Sequence, residues 1–230
     1  MSARAFRLPT HVRPLSYHID LSTDPSRTEF SGSVTIELEI ASPTETILLH
    51  ARHLEVTRAD VSAMFGDTVS ALWTYQPEQE TITLLLDKPL PVGRARAMLV
   101  FSGRLAPSMH GLYLGADGVH SAVCSQCEAT DARAIFPCFD EPAFKAALRW
   151  TLRTGPGVIA LSNGVLSQHS EAEGEQVFEF AETKPVSSYL AAVVVGDFES
   201  EPADYVRDVP LKVYAPSGKG RQTHFAKDFT

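Results

Sequence analysis

Alternation of apolar and polar residues with a period of two runs through most of this 230-residue chain. In one segment, Val34, Ile36, Leu38 and Ile40 alternate with a serine, a threonine and two glutamates. Successive side chains of a β-strand point to opposite faces, so this pattern predicts strands with one buried and one exposed face. No segment before residue 218 has an amphipathic helical pattern longer than two turns. The chain is therefore expected to fold mainly as antiparallel sheet.

The same alternation recurs at residues 17–21, 45–49, 54–62, 80–86, 97–103, 148–152, 177–180 and 211–214. Turn-forming residues separate these segments, among them Asp24-Pro25, Ser31-Gly32 and Gly155-Pro156-Gly157. The run 190–195 is apolar at every position, which predicts a central strand covered on both faces. Many short strands without long helices between them predict an all-β fold, either a large twisted antiparallel sheet or a β-sandwich.

The composition is that of a globular protein, with 44% hydrophobic and 21% charged residues. This length and apolar content suffice for one large domain with a substantial core. The formal net charge of -8 opposes binding to nucleic acid, and the sequence shows no basic patch interleaved with aromatic residues.

The sequence pattern indicates neither a membrane-spanning helix nor a secretory signal. No apolar run approaches the 18 or so residues of a membrane-spanning helix, so no membrane partner is expected. The basic residues near the N-terminus are not followed by the apolar stretch of a secretory signal. We therefore expect a cytoplasmic protein.

Cysteines and histidines do not form a recognisable metal motif. The three cysteines (Cys124, Cys127 and Cys138) are clustered and odd in number, which argues against a disulfide framework. A spacing of three residues places the first two on opposite faces of a strand, and no second cysteine or histidine pair completes a zinc set. The same spacing separates His50 from His53, for which we favour a structural role.

Residues 126–142 are the most distinctive stretch, with the sequence QCEATDARAIFPCFDEP. In an extended strand, Gln126 and Glu128 share one face and Cys127 lies on the other. A carboxylate beside a carboxamide at the end of a strand can bind a small cationic group such as an amine. The alternative is that Gln126 and Glu128 are ordinary exposed strand residues.

The second half of this stretch has the character of a rigid loop. Pro137 lacks a backbone donor and biases Phe136 toward an extended conformation, with one helical turn expected around residues 130–133. We expect Arg133 to pair with Asp140 or Glu141, or to hold backbone carbonyls of the loop. We expect Phe136 and Phe139 to anchor the loop to the core. A glycosidase-like pairing of the two adjacent acids is not favoured, because neighbours in a proline-bounded turn point apart.

The stretch resembles the M1 family of zinc aminopeptidases, of the aminopeptidase N type, whose N-terminal domains carry Gln-x-Glu followed by Ala-Arg-x-x-Phe-Pro-Cys-Phe-Asp-Glu-Pro. Weaker similarities, which extend the resemblance to about residues 6–225, are Leu8-Pro9, Pro14, Tyr17, Gly111-Leu112-Tyr113, Ser162-Asn163-Gly164 and residues 185–190. The resemblance implies a saddle-like N-terminal β domain over residues 1–205. Residues 206–230 would then begin a truncated, thermolysin-like catalytic domain.

The resemblance also implies a function, the removal of N-terminal residues from peptides. Glu128 would accept hydrogen bonds from the α-ammonium group of the substrate, and Gln126 would shape the pocket for its first side chain. In the family, a His-Glu-x-x-His motif of the catalytic domain binds the zinc. None of the eight histidines begins such a motif. We therefore expect this chain to bind no zinc and to be inactive alone, with peptide substrates and the missing catalytic domain as its partners.

Two other interpretations remain open. A β-sandwich that binds peptides or proteins without chemistry is compatible with the same sequence. The epoxide-hydrolase branch of the family shares this domain, so the resemblance alone does not separate the two activities. The preferred N-terminal residue and the oligomeric state are not encoded in any pattern of the chain.

Overall fold

A computed structural model describes residues 7–64, 66–223 and 225–226 of the chain, with residues 202 and 203 described by their backbone only. The largest sheet has eight strands, which lie side by side in this order: Leu166–Ala172 (β13), Glu175–Phe180 (β14), Ala147–Thr154 (β11), Val12–Ser22 (β1), Glu29–Ile40 (β2), Gly93–Arg104 (β8), Leu54–Ala63 (β4) and Val69–Ser70 (β5).

Three smaller sheets complete the architecture. The four-stranded sheet contains, in spatial order, Ile159–Ser162 (β12), Val193–Gly196 (β15), His120–Gln126 (β10) and Gly111–Asp117 (β9). The three-stranded sheet contains Thr44–His50 (β3), Thr81–Leu90 (β7) and Leu72–Gln76 (β6). The last sheet is a hairpin of Phe198–Val206 (β16) and Val209–Pro216 (β17).

Helical structure is limited within the described residues. Four short 3-10 helices span Pro77–Gln79, Ala132–Ala134, Ser188–Leu190 and Gly220–Thr223. None of the described helices is long and apolar enough to cross a membrane. Phe225 and Ala226 are helical, whereas residues 224 and 227–230 lie outside the described residues. The all-β fold with a large sheet is confirmed.

The buried and exposed faces of the strands agree with the alternation in the sequence. In β2, the side chains of Val34, Ile36 and Leu38 are completely buried, and the polar residues between them lie on the other face. The same core cluster takes apolar residues from the eight-, four- and three-stranded sheets. One hydrophobic core therefore holds the three sheets together and fixes their edges relative to one another.

Three details differ from the sequence-based expectations. The expected strand at 190–195 is wrong in its bounds, because residues 188–190 form a 3-10 helix and only the shorter β15 lies centrally in its sheet. Leu190 is half exposed.

The expected turn at Ser31-Gly32 is also wrong, since both residues lie inside β2. Gly32 is needed there because an added Cβ would collide with the carbonyl oxygen of Asp20.

The third difference concerns strand direction. Strands β1 and β11 pair in parallel, with Tyr17 opposite Leu148, whereas the other pairs of the large sheet are antiparallel. Alternation cannot reveal this, because both arrangements place successive side chains on opposite faces. The predicted domain boundary between residues 205 and 206 lies near the end of β16, within the C-terminal hairpin, and stays a prediction.

Candidate functional site

Strand β10 of the four-stranded sheet ends at the first residue of the distinctive stretch. It lies between β9 and β15, and its last residue, Gln126, pairs with Gly111. The hydroxyl of Ser125 accepts a hydrogen bond from the amide of Val193 at 2.8 Å. Residues 122–124 of β10 are paired on both sides, whereas Gln126 at the end of the strand is paired with β9 alone.

Residues 126–130, which we call the tip, leave the sheet at this point. Gln126 and Glu128 are exposed and Cys127 between them is 1% exposed, which agrees with the expected faces, but the expected strand is wrong beyond Gln126, where β10 ends. Glu128 lies in a turn and not in the strand, and its peptide bond to Ala129 is cis. Among the described residues, neither the Gln126 nor the Glu128 side chain has a hydrogen-bonding or ionic partner. Their hydrogen-bonding groups are therefore available to a ligand.

Residues 131–141, which we call the anchor, are buried nearly throughout. The amide of Asp131 donates to the carbonyl of Cys127 at 2.9 Å and closes the turn of the tip. The Asp131 carboxylate accepts from Arg52 and lies 3.0 Å from Nδ1 of His110. Burial alone would raise the pKa of Asp131, but the hydrogen bonds from Arg52 and His110 outweigh it and lower the pKa. The base of the tip is thus held by a charged carboxylate.

Arg133 makes the central ion pair of the anchor. Its Nε lies 2.9 Å from Oδ2 of Asp140, and its Nη2 donates to the backbone carbonyl of the same aspartate at 3.1 Å. The exposed fractions of the two side chains are 11% and 1%, so this pair is largely withdrawn from water. Ser188 donates to the other carboxylate oxygen of Asp140 at 2.6 Å. The predicted pairing of Arg133 with Asp140 is confirmed.

Glu80 joins the two arginines of this region. Its Oε2 lies 3.0 Å from Arg133, and its Oε1 lies 3.4 Å from Arg52. Asp131, Arg52, Glu80, Arg133 and Asp140 therefore form a chain of alternating charge. Such a network fixes the geometry of its members, because each charge is neutralised by the next.

Aromatic packing holds the anchor against the large sheet. The Phe136 ring is completely buried, with its centroid 5.8 Å from that of Tyr17 and 5.6 Å from that of Trp150, both in edge-to-face geometry. The hydroxyl of Tyr17 also accepts a hydrogen bond from the amide of Phe139 at 3.0 Å. The expected role of both phenylalanines as anchors to the core is confirmed.

His50 belongs to the anchor's surroundings and not to a metal site. The amide of Asp140 donates to its Nδ1 at 3.2 Å, which requires a neutral ring with the proton on Nε2. Burial, followed by the positive charge of Arg133, lowers the pKa of His50 to about 4. His53 is exposed in a loop with a positive φ of 55°. The two histidines thus have separate environments.

The described residues contain no group of three or more His, Cys, Asp or Glu side chains that could hold a metal ion. Cys127 is buried, and this burial, followed by the charges of Asp140 and Asp131, raises its pKa to about 12. A thiol that stays protonated is a poor metal ligand and a poor nucleophile.

The two adjacent acids of the anchor have different partners. Glu141 accepts a hydrogen bond from the amide of Leu8 at 2.6 Å and so does not share the partners of Asp140. The two adjacent acids are structural.

Sequence reasoning missed three residues of this region, namely Arg52, Glu80 and His110. They come from the loop after β3, the loop before β7 and the loop before β9, and Arg52 is separated from Asp131 by 79 positions. No local pattern identifies such partners, because only the folded chain brings the three loops together.

Comparison with known proteins gives one consistent result. A family model described as the Peptidase M1 N-terminal domain matches residues 13–190. Human endoplasmic reticulum aminopeptidase 1 is 35% identical over 232 residues, which cover 96% of this chain and 25% of the relative. Aminopeptidase M1-B of rice (Oryza sativa subsp. japonica) is 33% identical over 227 residues, which cover 96% of this chain and 26% of the relative.

A bacterial relative extends the comparison. Aminopeptidase N of Acetobacter pasteurianus is 32% identical over 228 residues, which cover 96% of this chain and 63% of the relative. The chain thus spans about a quarter of the human and rice relatives and less than two thirds of this bacterial one. The family model covers the tip, the anchor and most of the strands around them. The chain therefore belongs to the family of M1 peptidase N-terminal domains.

Proposed function

We propose that this chain is the part of an M1 aminopeptidase that recognises the free N-terminus of a peptide. Glu128 accepts hydrogen bonds from the α-ammonium group, and Gln126 borders the pocket for the first side chain. The observation that carries the proposal is an exposed carboxylate without a partner among the described residues, placed directly on a buried and fully paired anchor.

The chemistry of this pair suits an amine. A carboxylate forms short, charge-assisted hydrogen bonds with an ammonium group, whereas the neutral amide of an internal peptide bond offers only one weaker donor. Glu128 therefore discriminates between a free terminus and the interior of a peptide. The anchor positions the turn before substrate arrives, so that less conformational entropy is lost on binding. The same contact determines which carbonyl group reaches the reacting centre.

Peptide hydrolysis itself is assigned to a zinc ion held by a catalytic domain of the same polypeptide. The aminopeptidase names and the greater lengths of the relatives support this assignment. The donor set of the described residues does not fit a zinc site, so no chemical step is attributed to them. The 230-residue chain alone is expected to hydrolyse no aminoacyl 4-nitroanilide, with or without added zinc.

Amine recognition can be tested on the chain by ¹⁵N NMR titration. L-leucinamide, which has a free α-amine, is expected to shift the amide signals of residues 126–131, and N-acetyl-L-leucinamide is not. Glu128→Gln is expected to abolish these shifts. Glu171→Gln, at an exposed glutamate of β13, serves as the matched control and should leave them unchanged. Equal responses to both ligands, or an unchanged response of Glu128→Gln, would refute the proposed role of Glu128.

A further inference from the structure

A second concave site lies beside the anchor. A cavity of about 860 Å³ is enclosed by the loop between β3 and β4, the loop that links β8 to β9, and the first residues of the anchor. Glu80, from the loop before β7, and Arg104, at the end of β8, also line it. Its volume lies within the range of small-molecule sites in proteins. Neither Gln126 nor Glu128 lines the cavity, so it is separate from the site proposed above.

The acidic groups of the cavity are already engaged. The two carboxylate oxygens of Glu80 form hydrogen bonds with Arg52 and Arg133. The two carboxylate oxygens of Asp131 form hydrogen bonds with Arg52 and His110. These acids are therefore neutralised within the protein and have little capacity left to attract a cationic ligand.

The unused capacity of the cavity is that of hydrogen-bond donors. Within the described part of the chain, the His53 ring has no hydrogen-bonding or ionic partner. Arg104 has one ionic contact, 3.4 Å to Glu29, and the two side chains are 76% and 67% exposed. An exposed pair of this length contributes little and leaves the guanidinium open to other partners. The guanidinium of Arg104 can only donate, and the His53 ring has one nitrogen that can donate, so a ligand that supplies acceptors can engage both, and an anion supplies the strongest.

The geometry brings the two donors together. In the antiparallel pairing of β4 with β8, Leu54 lies opposite Gly103. His53 directly precedes Leu54 in the chain, and Arg104 directly follows Gly103. Continuing the antiparallel register by one residue therefore makes His53 and Arg104 neighbours at the same rim of the cavity. An arginine beside an imidazole can hold the two oxygens of one carboxylate.

Apolar residues form another wall of the cavity. Leu105, Pro107 and Leu112 line it, and Leu112 is a buried member of the hydrophobic core. We propose that this cavity binds a small organic carboxylate with an apolar body. Arg104 and His53 hold the carboxylate, and the body packs against Leu105 and Pro107. The proposal does not depend on amine recognition by Glu128.

The test is a ¹⁵N NMR titration of the 230-residue chain with 4-methylpentanoate. The amide signals of residues 104–112 are expected to shift and to saturate. The neutral 4-methylpentanamide has the same body without the charge, and inorganic phosphate has charge without an apolar body. Both are expected to leave these signals largely unchanged.

Substitutions locate the carboxylate. Arg104→Gln is expected to weaken binding about fivefold, because it removes one exposed charge-assisted contact. Arg94→Gln, at the exposed opposite end of β8, is the matched control and should retain the affinity. His53→Gln provides a second, independent variant with a smaller expected loss. Glu128→Gln should bind 4-methylpentanoate as the unchanged chain does, which separates this site from the proposed amine site.

Several results would overturn the proposal. Shifts confined to other parts of the chain would place the ligand elsewhere. Equal binding of 4-methylpentanamide would show that charge is not recognised, and equal binding of phosphate would show that the apolar wall is not used. Unchanged affinity in both Arg104→Gln and His53→Gln would remove the assigned donors.

Discussion

The tip and the anchor are consecutive in sequence but opposite in environment. The tip ends in an exposed turn whose Gln126 and Glu128 side chains have no partner among the described residues. The anchor contains a buried ion pair, a completely buried phenylalanine ring and a buried histidine contact. The difference places an exposed segment and a buried, paired segment next to each other within one continuous motif. Substitutions in the two halves should therefore have different consequences.

The largest expected effect is on the ion pair of the anchor. Asp140→Ala leaves the Arg133 guanidinium without its main partner in a buried position, and removes the acceptor of Ser188. We expect a loss of about 3–5 kcal/mol in the free energy of unfolding. Urea denaturation followed by circular dichroism measures this loss.

A surface pair is the control for this prediction. Asp20 and Arg153 make two contacts of 2.8 and 3.1 Å with similar chemistry, but both side chains are about one third exposed. Asp20→Ala is expected to cost about 1 kcal/mol or less. Equal losses of unfolding free energy in Asp20→Ala and Asp140→Ala would mean that burial does not determine how strongly the ion pair of the anchor stabilises the protein.

An intermediate effect is expected from pH. His50 has a folded-state pKa of about 4 against an ordinary value of 6.5. Between these values the unfolded chain binds more protons than the folded chain, so the free energy of unfolding falls as the pH decreases. The contribution of His50 is full above pH 6.5 and is lost toward pH 4, and it amounts to about 3 kcal/mol.

Urea denaturation at pH 7.5 and pH 5 measures the effect, with His50→Gln as the comparison. The variant has no ionisable group at this position, so its stability should fall less over the same interval. His18, whose pKa is also lowered by burial and then by Arg149, titrates in both proteins and cancels in the difference. An equal decrease in both proteins would contradict the assigned role of His50.

The smallest expected effect concerns the tip. Glu128→Ala should change the free energy of unfolding by no more than about 0.5 kcal/mol, because the side chain is exposed and unpaired among the described residues. Glu141→Ala is the matched substitution in the anchor. It leaves the amide of Leu8 without its 2.6 Å acceptor, with an expected loss of about 1–2 kcal/mol. A loss in Glu128→Ala as large as that in Glu141→Ala would remove the distinction between tip and anchor.

Several features of the fold and the site could be predicted from local patterns. Alternation located strands such as β2, β4 and β8, because the period of two reflects the geometry of the strand itself. The opposite exposure of Glu128 and Cys127 was predicted too, but on the assumption of a strand, whereas β10 ends at Gln126 and a turn produces this exposure. The pairing of Arg133 with Asp140 was also within reach, since only seven positions separate opposite charges in a proline-containing loop.

Only the tertiary structure decided which distant residues complete the site. Arg52, Glu80 and His110 come from three different loops and hold the anchor. His53, from the same loop as Arg52, shares a cavity rim with Arg104 at the end of β8. The parallel pairing of β1 with β11 was not predicted, and the predicted central strand at 190–195 is shortened to β15 because a 3-10 helix forms at residues 188–190. Side-chain periodicity is a local property of the backbone. The choice of partners depends on which sheet edges the common core brings into contact, and no single segment of the chain records that choice.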